Sequence, residues 1–158
     1  HQIDYRKVHL PIFGKLFKVI YTARFARTLS SLYSSGMPIA LAISVAGKTI
    51  GNVYIEKQFE EVVTEVRSGV PLSRALRQVD GLMKKLASTI LVGEESGRLD
   101  VMLDSIAVSM EEEAEQATKQ MVTLLEPILI IFMALIVGFI MIAVMLPIYQ
   151  SYAAIENA

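Results

Sequence analysis

The sequence predicts an all-α protein, a set of packed helices followed by a C-terminal transmembrane helix, and three observations carry that reading. Apolar residues recur at three- and four-residue spacing through most of the chain, as they do in helices with one buried face. No stretch holds the sustained alternation of a strand, and the Asp-Gly dipeptide at Asp80-Gly81 lacks the alternating flanks of a hairpin. Nineteen residues, Ile128 to Leu146, carry no charge and are bracketed by Pro127 and Pro147. At about 1.5 Å of rise per residue the run spans about 28 Å, close to the ~30 Å hydrocarbon core of a bilayer. A helix keeps every backbone group paired where water is absent. A secretory signal would sit at the N-terminus, and a core helix of this length rarely lacks any polar residue, so the spanning reading is preferred.

The elements follow in order from local chemistry. The first helix starts after Pro11 or Gly14, carries Ala23, Ala26, Leu29 and Leu32, and stops at Ser34-Ser35-Gly36, where glycine takes a left-handed conformation readily. Pro38 is expected in the first turn of a second helix, a place where no N–H is missed. That helix ends near Gly47 or Gly51. Asn52 is a good N-cap for a third, running to Ser68 and Gly69. Pro71 opens a short fourth through Ala75 and Leu76, and Gly81 precedes a fifth from about Leu82 to Val92. The last begins near Arg98. Its stripe of Leu99, Leu103, Ile106, Met110, Ala114, Ala117, Met121 and Leu124 recurs near the helical period of about 3.6. It can run on into the membrane as one mechanically connected element, with Glu126 and Pro127 at the interface and Pro127 as a kink or a fresh start. Inside the span, Ala134 and Gly138 are spaced so that another helix can approach closely.

Gly-x-Pro occurs twice, as Gly36-Met37-Pro38 and Gly69-Val70-Pro71, 33 residues apart, and Ala42-Ile43 answers Ala75-Leu76. This is either a helix-hairpin duplication or the same stop-and-start chemistry used twice.

With 158 residues, 53% of them apolar, there is material for one helical domain plus the span. The absence of Cys excludes disulfides, thiol chemistry and thiolate metal sites. Because the first residue is His1, residues 1–10 are expected to be a linker from a preceding part, followed by a cytoplasmic helical bundle (11–126), the span (127–148) and a short external tail (149–158). Charge is uneven: residues 1–55 carry seven Lys and Arg against one acid, residues 56–127 eight against fourteen. The basic N-terminal segment interleaves Arg6, Lys7, Lys15 and Lys18 with Val8, Leu10, Ile12, Phe13, Leu16 and Phe17, a composition suited to anionic head groups. The acidic second half and the span argue against nucleic acid as a partner. All fifteen Lys and Arg precede the span, in keeping with a cytoplasmic domain.

Reaction chemistry is sparse. Ala42 to Thr49 reads A-I-S-V-A-G-K-T, a phosphate-loop spelling with Ala42 in place of the first glycine, and an apolar helix stands where a strand is required. Gly47 is read as a helix terminator and Lys48 as solvated. Only His1 and His9 supply imidazole, and no H-E-x-x-H or Glu-x-x-His pair exists, which excludes a catalytic zinc or di-iron site. Gly93-Glu94-Glu95-Ser96-Gly97 lacks the G-x-S-x-G spacing of a hydrolase. Of the carboxylates, Glu56 with Glu60, Glu61 with Glu65, and the run Glu111, Glu112, Glu113 and Glu115 suit a solvated helix surface; binding of Ca²⁺ or Mg²⁺, or of a basic partner, stays open. Glu94 and Glu95 fall at a helix end, where a negative charge opposes the dipole. Arg24 or Arg27 on the first helix is the expected partner, in a bidentate pair.

Several signatures line up: Pro11-Ile-Phe-Gly14, Ala23-Arg-Phe-Ala-Arg-Thr-Leu-Ser30, Ser35-Gly-Met-Pro38, Gly69-Val-Pro-Leu-Ser73, Val92-Gly-Glu-Glu-Ser-Gly97, Leu125-Glu-Pro127 and Leu146-Pro-Ile148. Together they resemble the F family of type II secretion systems, which includes the inner-membrane platform protein of type IV pilus machines, over residues 11 to about 149. Members usually carry two copies of a six-helix cytoplasmic bundle and three membrane helices, so the resemblance implies an antiparallel six-helix bundle followed by the last transmembrane helix. It implies a non-enzymatic, cofactor-free platform in the bacterial inner membrane, coupling a cytoplasmic ATPase to assembly of pilins or pseudopilins. Its implied partners are that ATPase, other inner-membrane assembly proteins, the pilins or pseudopilins, the lipid bilayer and further copies of itself. Motif positions carried over are Arg27, Gly36, Pro38, Gly69, Gly93, Glu94, Gly97, Glu126, Pro127 and Pro147, as fold or interface positions. Gly81-Leu82-Met83 departs from the aromatic-Pro that often precedes the Gly-Glu motif. The alternative reading is a membrane-tethered helical sensor or regulator that binds a divalent ion or anionic lipid.

Overall fold

Five glycines at positive φ, Gly36, Gly51, Gly69, Gly81 and Gly97, fall between the helices of this chain. A computed structural model describes residues 13–157. Among the described residues there is no strand, and six helices follow one another: α1 Gly14–Ser34, α2 Ile39–Lys48, α3 Val53–Arg67, α4 Leu72–Leu76, α5 Lys84–Ser96 and α6 Leu99–Glu156. The expected linker, Pro11 and the part of the basic segment holding Arg6 and Lys7 lie outside the described residues. The chain divides into two units between Ala117 and Thr118.

Both Gly-x-Pro segments build the same turn. After α1, Gly36 sits at φ +88°, its N–H donates to the Tyr33 carbonyl (3.1 Å), and the Met37 N–H donates to Leu32 (3.2 Å). After α3, Gly69 sits at φ +98°, with its N–H on Val66 (3.1 Å) and that of Val70 on Glu65 (3.0 Å). Crossed bonds of this kind satisfy carbonyls that a helix end leaves unpaired. The prolines then cap the next helices: Pro38 (φ −55°, ψ 136°) accepts from the Ala42 N–H at 2.9 Å and Pro71 (φ −56°, ψ 138°) from Ala75 at 3.1 Å. Each proline stands one residue ahead of the first-turn place expected for it, because the chain must still be extended there to leave the glycine turn. Ala42, Ile43, Ala75 and Leu76 are all buried, so the repeat extends from turn to core.

Gly47 is not a terminator. It is helical and buried, and a Cβ there would come 2.9 Å from Cγ of Phe59, so α2 meets α3 at a place that only glycine fits. The Phe59 ring in turn lies 4.7 Å from that of Phe25, tilted by 42°, which joins α1 to the same contact. Residues 42–48 of the phosphate-loop spelling are therefore helical, and α1, not a strand, is the element before them. Asn52 caps α3 as expected, its Oδ1 accepting the Ile55 N–H at 3.2 Å.

Helix α5 runs to Ser96, past the expected end at Val92, because Gly93 stays helical and Gly97 at φ +67° makes the stop. Gly93 also marks a close approach: a Cβ there would come 3.0 Å from Cα of Leu99 and 3.0 Å from Cβ of Met102. The loop before α5 is pinned by polar groups. Gln58 accepts from the Asp80 N–H (2.8 Å) and donates to the Asp80 carbonyl (3.1 Å), while the Met83 N–H donates to Thr22 Oγ1 (2.9 Å).

Helix α6 passes Pro127 and Pro147 without interruption and continues to Glu156. Leu103, Ile106 and Met110 are buried, and Leu99 and Ala114 pack at the margin of the core. The predicted stripe does not stay buried to its end, for Leu124 is 63% exposed. From Thr118 onward the second unit is a length of this helix, and its side chains from Val122 on are exposed.

Candidate functional site

Two of the family-like segments meet each other. Glu94 lies in the last turn of α5, where its charge opposes the dipole of its own helix. Its Oε1 accepts the Ser73 N–H at 3.1 Å, and its Oε2 accepts the Ser73 hydroxyl at 2.6 Å. Ser73 is the second residue of α4, so the carboxylate takes an N–H that the short helix cannot pair internally and sets a negative charge at its positive end. The bond is charge-assisted, and Ser73 is buried, both of which strengthen it. Gly69-Val-Pro-Leu-Ser73 and Val92-Gly-Glu-Glu-Ser-Gly97 thus form a single joint.

This corrects the expected pairing of Glu94 with Arg24 or Arg27. Arg27 turns instead to α6: its Nε and Nη2 each donate at 2.8 Å to the two oxygens of Glu111, and its Nη1 donates at 3.2 Å to Oδ1 of Asp104. Asp104 and Glu111 are two helical turns apart, on one face, so one guanidinium spans both. The bidentate hydrogen bonds, followed by burial and the Arg27 charge, govern the Glu111 carboxyl, with the net result that it is held below its ordinary value of 4.5. Arg27 is held above its ordinary value, chiefly by the Glu111 hydrogen bonds. Both side chains remain partly exposed, at 38% and 46%, which limits what the pair contributes. Arg24 donates from Nη1 to the Ile50 carbonyl at 3.3 Å and so braces the turn before Asn52.

The remaining acids are dispersed. Glu95, Glu112 and Glu115 are exposed and Glu113 is half-buried, and among the described residues no three acids or histidines are grouped as metal ligands. Gly36, Gly69 and Gly97 serve the turns described above, and Pro38 a cap. Glu126, Pro127 and Pro147 lie on α6, as do Ala134 and Gly138; a Cβ at Gly138 would meet nothing within 4 Å.

Sequence reasoning missed Ser73 as the partner of Glu94, Asp104 as the second partner of Arg27, and the pins Thr22, Gln58 and Tyr54. Tyr54 donates its hydroxyl to Asp80 Oδ2 at 3.0 Å. Position alone could have suggested Ser73, since Ser near a helix start is a usual cap, but its partner is set by packing.

The second unit differs in kind. Helix α6 contains an 18-residue window of mean hydropathy 3.2, none of it buried, and it is long and apolar enough to cross a membrane. Its large apolar residues face outward on all sides, Leu135, Phe139 and Ile142 among them.

Residues 25–147 match the family model of type II secretion system protein F. Among curated relatives, the type IV pilus assembly protein PilC of Thermus thermophilus is 36% identical over 149 residues, which cover 94% of this chain and 37% of the relative. The PilC of Pseudomonas aeruginosa is 34% identical over 149 residues, covering 94% and 40%. The type II secretion system protein F of Aeromonas hydrophila is 33% identical over 150 residues, covering 95% and 38%. The chain therefore spans about two-fifths of the length of these relatives. With the family match running through most of its helices, the chain belongs to the type II secretion system protein F family.

Proposed function

We propose that this chain is part of an inner-membrane platform in a type II secretion or type IV pilus assembly machine. In this reading the helical head, residues 14–117, stands on the cytoplasmic side, α6 crosses the membrane, and the head receives work from a cytoplasmic ATPase that drives pilin or pseudopilin assembly. The role is mechanical and not catalytic. The observation that carries it is the family match over residues 25–147, which takes in both the head and the exposed apolar length of α6. A charge-free apolar surface on all sides of a helix is stable in lipid and costly in water.

The test is complementation in cells lacking the native gene. The intact gene is expected to restore pili or secretion, and deletion of the region encoding residues 14–156 is expected to abolish both. Undiminished assembly after that deletion would contradict the platform role. Purified head and ATPase should also co-elute, and charge reversal across Glu111 to Glu115 should weaken that association if the acidic run contributes to it.

A further inference from the structure

The first unit carries a groove that the platform reading does not use. It lies where α4, the following loop and the start of α5 meet, encloses about 360 Å³, and is floored by Leu76, Val79, Leu82, Leu86 and Ala87. Arg77 and Lys84 stand at its walls. Both are exposed, and among the described residues neither is ion-paired. Arg74 and Lys85 add two more exposed cations nearby, Lys85 donating to Ser109 at 3.3 Å. The one acid between residues 72 and 88 is Asp80, engaged by Tyr54 and lying 4.0 Å from Lys18. In the otherwise acidic stretch 56–127, four of the eight Lys and Arg are gathered here. The first turn of α5 compounds this, with two lysines and no acid where the helix dipole favours the reverse.

We propose that this groove docks an acidic amphipathic helix of a protein partner, whose Leu-, Ile- or Phe-like side chains enter the apolar floor while its Asp or Glu residues meet Arg77 and Lys84. Charge complementarity selects the acidic partner. Shape selects a protein over a lipid surface: no large apolar side chain between residues 72 and 88 is exposed, so the site receives knobs and offers none to insert into a bilayer. The volume suits two or three such side chains. The groove is also pre-formed, since the loop that builds it is held by Gln58 and Thr22, which lowers the ordering cost of binding. This binding chemistry is independent of the assignment to secretion or pilus machinery.

The test uses the full chain in phosphatidylcholine nanodiscs, with empty nanodiscs as the blank. A phage library of randomised 16-residue helical peptides is selected on it, and enriched peptides are measured against Arg77→Glu/Lys84→Glu and against Ser88→Trp, which fills the groove from its exposed rim. Enrichment of peptides with acids and large apolar residues three or four apart is expected, with affinity falling ~10-fold or more in both variants. Circular dichroism on the variants separates lost binding from lost folding. The proposal is overturned by an enriched set without that pattern, or by affinity unchanged in the variants. It is equally overturned if the wild-type chain binds phosphatidylglycerol vesicles with the same dependence on Arg77 and Lys84 while no peptide is enriched.

Discussion

Helix α6 is two materials in one element. Up to Ala114 it buries one stripe, with Leu103, Ile106 and Met110 covered, while acids and the exposed Val101 and Val108 occupy the other faces. Beyond Glu126 apolar residues surround the axis and none is covered: Ile136 is 40% exposed and Phe139 74%. The first stretch obeys the rule for a helix on a water-soluble core, the second the rule for a helix whose solvent is itself apolar. Stability in the head must come from side chains packed on side chains, whereas in the apolar length it must come from the surroundings.

The sharpest way to break that contrast is to truncate the head's central contact. Phe59→Ala empties the place where α1, α2 and α3 meet and is expected to cost about 3–5 kcal/mol of head stability. The comparable truncation Phe139→Ala, on the uncovered stretch, is expected to leave the head's melting midpoint unchanged, read by differential scanning fluorimetry of the full chain in detergent. Next in size is the joint between α4 and α5. Removing the Glu94 carboxylate with Glu94→Gln is expected to cost about 1–2 kcal/mol, and a cycle with Ser73→Ala should return the hydroxyl's share as coupling, the backbone N–H bond surviving that change. A cycle of Glu94 with Arg27 is expected to show none.

Smallest is the Arg27–Glu111 pair, discounted to about 0.5–1 kcal/mol because both side chains are partly exposed. Its pH dependence has a definite sign. The folded-state value of Glu111 is depressed, so the contribution is full above its ordinary 4.5 and is lost as pH falls from there through the folded value. Arg27 stays protonated throughout and adds no dependence. Coupling between Arg27→Ala and Glu111→Ala, measured at pH 7 and again at strongly acid pH, should shrink at the lower pH.

What the sequence reveals and conceals divides along local and distant physics. Gly36, Gly69 and Asn52 were legible because a left-handed turn or a cap depends on a few adjacent residues. The long uncharged stretch was legible because composition alone sets its hydropathy. Gly47 was misread since its reason for being glycine is Phe59 on another helix, and Gly93 was passed over as a helix residue for the same kind of reason, Met102. Among the candidate residues, Glu94 was noticed as a charge in need of a partner and Arg27 as a side chain able to supply one. Their partners were misassigned, because Arg27 finds Glu111 at a separation of 84 residues and nothing local encodes that choice.

The chain has no cysteine, which opens the most direct measurement of the contrast within α6. Single substitutions Ser109→Cys, Ile136→Cys and Ala154→Cys are placed in otherwise unchanged protein in living cells, and labelling by a membrane-impermeant maleimide is followed before and after lysis without detergent. The expected result is labelling at position 154 in intact cells, at position 109 only after lysis, and at position 136 in neither. Equal labelling at 136 and 109 after lysis would place the apolar length in water and contradict the account.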